Sequence, residues 1–185
     1  AVVAGKSVET SMGFSPAEGL MMATRSGDVD PTLFHFLQES VGMSSEEVNT
    51  LFNKQSGLLG VSGLSGDLRQ IEDPITKGDR RACLAFEIFC YRLAKMIASY
   101  TILTPELDGL IFTGGIGENS DAVRARVVQW LDPLGFSVDA EQNKRVRRGV
   151  ADMISGPESR TIYVQPTNEE LMIAQDTFEV GVKGN

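Results

Sequence analysis

A glycine-rich stretch at residues 110–120, LIFTGGIGENS, contains the residue types best suited to holding a ligand against the backbone. Glycines at 114, 115 and 117 follow an apolar run, and glycine permits both positive φ angles and close approach of a ligand. A helix that begins after these glycines would present unpaired amide groups and a positive dipole end, which favour phosphate. The stretch is therefore either a tight strand-to-helix turn or a binding loop, and a lone glycine cluster does not decide between them.

The same glycines also permit a dinucleotide-binding interpretation. Gly115 and Gly117 follow a predicted strand, and Asp139 ends the next predicted strand 24 residues after Gly115, close to the spacing of a ribose-binding acid. Against this interpretation, Ser120 occupies the position where the third glycine of that fingerprint is expected. The interpretation predicts affinity for a nicotinamide cofactor, and it leaves the charged clusters elsewhere in the chain without a role.

Arg25 lies in the first of these charged clusters, TRSGDVDP at residues 24–31. At the end of a predicted helix a cation is favourable for the helix dipole, so Arg25 has a structural explanation. Arginine is also the side chain that forks onto phosphate or carboxylate oxygens. A second cluster, SGDLRQIED at residues 65–73, places Asp67 and Arg69 on a short polar segment, where they predict either a cap and turn or a ligand contact.

A third cluster, QPTNEELMIAQ at residues 165–175, is acidic. Glu169 and Glu170 come in the first turn of the last predicted helix, where carboxylates are favourable for the helix dipole alone. A carboxylate there could also hold Mg²⁺. His35 is the only histidine, and with two cysteines seven residues apart it cannot complete a four-ligand zinc site.

Composition excludes several broad classes of protein. The chain has 25 acidic and 17 basic residues, and this net charge of −8 argues against a general binder of nucleic acid or membrane surfaces. Cys83 and Cys90, about 10.5 Å apart on a predicted helix, are too distant for a disulfide and are expected to be reduced, buried thiols. No secretory signal or membrane-length apolar run is visible, so the cytoplasm is the expected compartment.

Hydrophobic periodicity and turn residues predict an α/β protein in which helices come first and strand–helix alternation follows. The predicted elements are a hairpin at 1–11, helices at 16–25, 31–41, 45–55 and 79–100, a loop at 57–66, strands at 110–113, 136–139 and 161–166, and helices at 119–131, 141–150 and 168–178. Capping boxes at residues 15–18 and 44–47 predict the starts of two of these helices. Residues 1–185 are expected to form one domain, because no linker or internal repeat is visible.

In their order along the chain, these motifs resemble those of the acetate kinase family. The matching text is ETSMGFSPAEGLMMATRSGDVDP, SGLLGVSGLSGDLR, DGLIFTGGIGEN and PTNEELMIAQD, and the resemblance covers nearly the whole chain. It implies a ribonuclease-H-like domain of the superfamily that includes actin, Hsp70 and the sugar kinases, with a mixed sheet flanked by helices. It further implies reversible transfer of a phosphoryl group between ATP and acetate with Mg²⁺, giving acetyl phosphate and ADP.

Residue by residue, the resemblance implies a role for each motif. Arg25 is expected to stabilise the transferring phosphoryl group, and Glu169 is the expected magnesium-linked carboxylate. The segment expected to contact the adenosine nucleotide consists of Asp67, Leu68 and Arg69. The expected adenine- and ribose-binding loop consists of Gly115, Ile116, Gly117, Glu118 and Asn119.

The resemblance covers only the C-terminal half of such an enzyme. The N-terminal domain, which completes the acyl and phosphate site in the family, is expected to be absent from these 185 residues. In the family the matching half carries much of the dimer contact, so a homodimer is implied. We therefore expect a fragment that folds and binds nucleotide but does not catalyse. Two alternatives stay open, namely half of a propionate or other short-chain acyl kinase, and a dimerisation module without activity.

Overall fold

The computed structural model describes residues 1–104 and 106–183. By compactness the chain forms two units. The first comprises Ala1–Leu107 and Arg126–Leu134, and the second comprises Asp108–Ala125 and Gly135–Asn185. The single-domain organisation expected from the sequence stays a prediction. No helix in the described part of the chain is long and apolar enough to cross a membrane.

The first unit combines a short hairpin with a set of helices. Its elements are β1 (Val2–Val3), β2 (Lys6–Ser7), α1 (Thr32–Glu39), α2 (Ser45–Lys54), α3 (Gly57–Ser62), α4 (Leu68–Thr76), α5 (Arg80–Tyr100) and 3-10 turns at Thr101–Leu103 and Asp132–Leu134. β1 and β2 pair antiparallel through Ala4 and Gly5, which both have positive φ angles, and the predicted hairpin is confirmed. α5 packs against α3 and α4 and is the centre of this unit.

Side-chain caps fix the starts of two helices in the first unit. The Ser44 hydroxyl accepts a hydrogen bond from the Glu47 N–H, and the Glu47 carboxylate accepts one from the Ser44 N–H, so the predicted capping box forms. The Asp79 carboxylate accepts a hydrogen bond at 2.8 Å from the Ala82 N–H and begins α5. The predicted helices at 45–55 and 79–100 are therefore confirmed.

Two predictions in the first unit are wrong, one at residues 16–25 and one at residues 57–66. Residues 16–25 form turns in place of the predicted helix, whereas α3 forms where a loop was predicted. The carbonyls of Met22 and Ala23 accept hydrogen bonds at 2.9 and 3.0 Å from N–H groups in the first turn of α3. These carbonyls satisfy the free N–H groups at the start of α3 and so stabilise a helix that the local sequence did not predict.

The second unit contains a three-stranded mixed sheet. Its elements are β3 (Gly109–Phe112), α6 (Gly114–Asn119), α7 (Asp121–Trp130), α8 (Ala140–Arg145), β4 (Asp152–Met153), β5 (Thr161–Val164) and α9 (Glu169–Lys183). The boundary between the units falls within α7, whose last five residues belong to the first unit. The strand order is β3–β5–β4, with β3 parallel and β4 antiparallel to β5. Phe112, Ile162 and Val164 are buried on one face of this sheet.

In the second unit β3, β5 and α9 confirm the predicted elements, but two other predictions fail. Residues 136–139 contribute an isolated bridge between Val138 and Ser155, so the predicted strand there is wrong, and β4, which was not predicted, pairs with β5. α8 ends earlier than predicted because Val146 leaves helical geometry, with a ψ of 103°.

Candidate nucleotide-binding site

The carboxyl ends of two parallel strands meet at one edge of the sheet in the second unit. β3 and β5 run parallel, and the pairing continues past both strands, because the Gln165 N–H donates to the Phe112 carbonyl at 2.9 Å. α6 begins at Gly114, two residues after Phe112. In open α/β sheets, ligands bind in the crevice outside the carboxyl ends of the strands. The predicted glycine stretch therefore lies in the position that the sequence suggested.

The glycine stretch is itself helical, which the sequence did not predict. A helix was expected to begin at residue 119, but α6 covers the three glycines and α7 begins at Asp121 after a break at Ser120. Gly114 has a φ of +71°, so the turn from strand to helix needs glycine there. A Cβ at Gly115 would meet nothing within 4 Å, so packing does not require glycine at this exposed position. The absence of a side chain at Gly115 leaves the backbone open to a ligand.

Two side chains at the end of α6 connect it to neighbouring segments. Glu118 Oε1 accepts hydrogen bonds from the Thr167 N–H at 2.9 Å and from the Thr167 hydroxyl at 3.1 Å. Asn119 Nδ2 donates to the Gly115 carbonyl at 2.9 Å, and its Oδ1 accepts from the Arg148 N–H at 3.1 Å. The contact between Glu118 and Thr167 brings together two of the motifs that the sequence singled out, the glycine stretch and the PTNEE segment.

Glu169 lies two residues beyond Thr167, at the first position of α9. Its side chain is exposed beside a depression lined by Thr167, Asn168, Glu169, Met172 and Ile173. Asn168 Oδ1 accepts a hydrogen bond at 3.0 Å from the Leu171 N–H and so caps the helix, which leaves the neighbouring Glu169 carboxylate free of that task.

The residues around Glu169 fit Mg²⁺ only if most of its ligands come from elsewhere. No group of three or more His, Cys, Asp or Glu side chains in the described residues could hold a metal ion. Mg²⁺ in nucleotide sites is typically bound by one or two carboxylates, with waters and substrate phosphates completing its octahedron. A single exposed carboxylate is compatible with that mode of binding and incompatible with an all-protein cage.

Arg25 lies in the first unit on a loop whose backbone is fixed on both sides. The Met22 N–H donates to the Arg25 carbonyl at 3.1 Å, the Ser26 N–H donates to the Phe52 carbonyl at 2.9 Å, and the Ser56 N–H donates to the Thr24 carbonyl at 2.9 Å. The half-buried Arg25 side chain approaches the Met22 sulfur at 3.9 Å. Within residues 1–104 and 106–183 it forms no ion pair with a carboxylate. Its guanidinium donors are therefore available to an anion.

Asp67 is the N-cap of α4, so the cap predicted for this polar segment is confirmed, although a helix and not a turn follows it. The Asp67 carboxylate accepts from the Arg69 N–H at 3.0 Å and pairs with the Arg69 guanidinium at 2.6 Å. This side-chain hydrogen bond, followed by the backbone one, lowers the pKa of Asp67, and the same pairing raises the pKa of Arg69. Leu68 is 4% exposed and packs in the core, so only its backbone could contact a ligand.

Arg124 on α7 is a site-adjacent residue that the sequence analysis missed. Its side chain is fully buried and donates to the Gly117 and Glu118 carbonyls of α6 at 2.8 and 2.9 Å. Burial lowers its pKa most; nearby Asp121 opposes this effect and Arg147 adds to it. The sequence did contain one signal, because Arg124 lies at helical spacing among apolar residues that form a buried helix face.

A mixed α/β sheet with a glycine turn at its carboxyl edge is typical of nucleotide-binding domains. A model of the acetokinase family matches residues 1–175, and the chain belongs to this family. It is 52% identical over 183 residues to the acetate kinase of Shewanella oneidensis, covering 99% of this chain and 46% of that protein. It is 53% identical over 178 residues to the acetate kinase of Stutzerimonas stutzeri, covering 96% of this chain and 45% of that one. The chain thus spans about half the length of the curated relatives it matches.

Solved structures agree with this family membership. The acetate kinase of Porphyromonas gingivalis superposes with a TM-score of 0.87 at 46% identity, covering 95% of this chain and 44% of that one. A propionate kinase from Francisella tularensis superposes with a TM-score of 0.89 at 47% identity, with the same two coverages of 95% and 44%. The resemblance stated from the sequence and the predicted ribonuclease-H-like α/β fold are both confirmed. The roles of the individual site residues stay predictions.

Proposed function

We propose that this chain is the nucleotide-binding half of an acetate kinase. The whole protein would transfer a phosphoryl group reversibly between ATP and acetate, giving ADP and acetyl phosphate. The observation that carries the proposal is the pair of hydrogen bonds from Thr167 to Glu118, which join the glycine helix to the segment bearing Glu169 at the carboxyl edge of the sheet. Family membership supports the reaction class.

In the proposed site each motif has a separate task. The backbone of residues 115–119 receives adenine and ribose, and the family resemblance assigns a nucleotide contact to the segment from Asp67 to Arg69. Arg25 stabilises the transferring phosphoryl group, because a guanidinium supplies fixed donors and a charge that persists at every physiological pH. Glu169 would hold Mg²⁺ directly or through water, and the ion would supply positive charge to stabilise the phosphate.

In phosphoryl transfer the protein contributes mainly by positioning the reactants and stabilising the charge that develops on the phosphoryl oxygens. An acetate oxygen forms a bond to the γ-phosphorus while the bond from that phosphorus to the bridging oxygen of ADP breaks. Negative charge spreads over the equatorial oxygens during this exchange, and Arg25, which forms no ion pair with any carboxylate of the described residues, suits that charge. We expect the residues that bind the acyl group to lie in the rest of the whole protein. We also expect the whole protein to be cytoplasmic and to form a homodimer.

A propionate or other short-chain acyl kinase is the second candidate function. The observation in its favour is the likeness to the Francisella propionate kinase. This chain is 47% identical to that protein and 46% identical to the Porphyromonas acetate kinase, so identity does not favour acetate over propionate. Both candidates use the same nucleotide half, so they differ in the acyl pocket. An assay of the whole protein with acetate and propionate, comparing kcat/KM, distinguishes them.

Calorimetric titration of the chain with Mg-ADP tests the proposed nucleotide site. We expect a Kd between about 1 μM and 1 mM, and a loss of about tenfold or more in the Gly115→Val variant, because a side chain would fill the space left for the nucleoside. Gly181→Val is the matched control, since Gly181 is also helical and also has open space at its Cβ. Binding of NADH in place of ADP would contradict the proposal and favour the dinucleotide interpretation.

A further inference from the structure

Arg124 has every donor of its guanidinium group occupied inside the protein. Its Nε, Nη1 and Nη2 atoms make one, two and two hydrogen bonds respectively. A guanidinium has five N–H donors, so none is left over. The acceptors are the Asn143 side-chain oxygen at 2.7 Å and the carbonyls of Gly117, Glu118, Asn143 and Val146 at 2.6–2.9 Å. All five donors are therefore satisfied by acceptors within the second unit, and the Arg124 side chain is part of the structure of that unit.

The carbonyls that Arg124 contacts come from the ends of two short helices. Gly117 and Glu118 lie in the last turn of α6, whereas Asn143 and Val146 lie in the last turn and at the cap of α8. C-terminal carbonyls lack partners within their own helix and carry a partial negative charge, roughly half an elementary charge for each helix end. Two such ends offset the buried positive charge, and no carboxylate in the described residues forms an ion pair with Arg124.

α6 is a helix that needs such support, because its sequence gives it little intrinsic stability. It has six residues, three of which are glycine. Glycine is among the poorest helix formers, and helices of this length are not stable alone. The other anchors of α6, from Glu118 to Thr167 and from Asn119 to Arg148, lie at exposed positions. The Arg124 side chain is buried and its two hydrogen bonds to α6 are partly buried, so water competes less with them than with the exposed anchors.

We propose that Arg124 is a positioning residue for the glycine helix, holding the backbone of residues 115–119 in the arrangement that receives the nucleoside. Asn143 orients the guanidinium, since its Oδ1 accepts from Arg124 Nε and its Nδ2 donates to the Asp121 carbonyl at 2.9 Å. The inference rests on the proposed function of the glycine helix. Arg124 acts through that helix and has no contact with the nucleotide itself.

The first test measures α6 without any ligand. Arg124→Lys keeps the positive charge but offers three donors in place of five. Residue-resolved amide exchange by NMR should then accelerate by about tenfold in α6, while β3 and β5 change by less than about twofold. Arg126→Lys is the matched control, because Arg126 lies on the same helix and its guanidinium pairs with Glu87 at 2.8 Å. We expect the control to leave exchange in α6 unchanged.

The second test measures Mg-ADP affinity of the same variants by calorimetry. Arg124→Lys should weaken binding by about tenfold, and Arg126→Lys by less than about twofold. Unchanged exchange in α6, or an equal loss of protection throughout the second unit, overturns the positioning role. If Arg124→Lys does not fold, Asn143→Ala decides the matter, since it removes one acceptor and leaves the carbonyls in place; an unchanged α6 in that variant overturns the inference.

The two tests separate this inference from the proposed function. If the unaltered chain does not bind Mg-ADP while Arg124→Lys loosens α6 selectively, the structural coupling is supported and nucleotide binding by this chain is refuted. If the unaltered chain binds Mg-ADP and Arg124→Lys binds it equally well, nucleotide binding stands and the positioning role is refuted.

Discussion

Three arginines carry the same guanidinium group in three electrostatic settings. Arg69 is 85% exposed at its side chain and paired with Asp67, whereas Arg124 is buried among helix carbonyls. Arg25 is held by its backbone, and among the described residues its guanidinium approaches only the Met22 sulfur. Charge that is already paired or buried contributes less to an incoming anion. Of these three, Arg25 is therefore the one whose charge is, within the described part of the chain, neither ion-paired nor fully buried, which supports the proposed role at the phosphoryl group.

Cys90 gives a prediction that depends on pH. Burial, with a smaller contribution from Glu87 and opposition from Arg126, raises the pKa of its thiol from its usual 9.0 to about 12. The thiolate is the reactive form, so at pH 8 a thiol reagent should label half-buried Cys83 quickly and Cys90 only after denaturation. Between about pH 9 and 12 the unfolded chain releases a proton that the native chain retains, so stability should fall as pH rises through this range.

A thiol titration with Ellman's reagent, in the presence and absence of denaturant, measures the labelling. The Cys83→Ser variant isolates the second thiol. Fast labelling of the native Cys83→Ser protein would show that Cys90 is accessible and ionisable, against the burial seen in the structure.

At the scale of elements, two similar capping patterns have opposite outcomes. Ser44 and Glu47 form the capping box of α2, whereas Ser15 accepts a hydrogen bond from the Ala17 N–H within a turn. Gly19 explains part of the difference, because its φ of +89° is incompatible with a helix. The carbonyls of Met22 and Ala23, near the end of the same segment, accept hydrogen bonds from the first turn of α3, a contact that no local pattern reveals. Local patterns predict caps, but they do not reveal which distant N–H group will compete for a carbonyl.

The candidate site shows the same limit of prediction from sequence. The glycine stretch and the PTNEE motif could be located because their residues are adjacent in the chain, and their place after β3 and β5 follows from strand–helix alternation. The contact between Glu118 and Thr167 spans 49 residues, and Arg124 reaches Asn143 over 19 residues. Neither separation corresponds to a local period, so spacing alone gives no signal for these contacts.

Gly57, at the start of α3, gives an element-scale prediction. It has a φ of +63°, and an added Cβ would collide with the Met22 carbonyl and lie 2.8 Å from the Arg25 carbonyl oxygen. Gly57→Ala should therefore reduce the free energy of unfolding by about 2–4 kcal/mol and disturb the loop that holds Arg25. Gly78→Ala is the matched control, with a φ of +79° and no atom within 4 Å of its Cβ. The control isolates backbone strain, which should cost about 1–2 kcal/mol.

Urea denaturation of both variants measures the difference. Equal losses of unfolding free energy for Gly57→Ala and Gly78→Ala would mean that the carbonyls move away at no cost. The loop around Arg25 would then be less firmly fixed than its backbone hydrogen bonds indicate.

At the scale of the whole molecule, the described residues include many large apolar side chains that are exposed. Ile111 on the sheet is 64% exposed, and α9 exposes Leu171, Met172, Ile173, Phe178, Val180 and Val182. The six side chains on α9 belong to one exposed helix, and exposed apolar patches usually mark contacts with other protein. It is consistent with a chain that spans 46% of its Shewanella relative and with the predicted homodimer, which remains to be tested by sizing.

The last prediction concerns catalysis by this chain alone. We expect no acyl phosphate above a protein-free control when the chain is incubated with Mg-ATP and acetate or propionate and the product is trapped with hydroxylamine. The physical reason is positioning: holding two reactants in line is worth about 7–11 kcal/mol, and a chain that binds only the nucleotide loses that contribution. Full-length Shewanella oneidensis acetate kinase, 52% identical over the shared region, is the positive control. Acyl phosphate formed by the purified chain and abolished by Gly115→Val would contradict the expectation, and it would place acyl binding within these 185 residues.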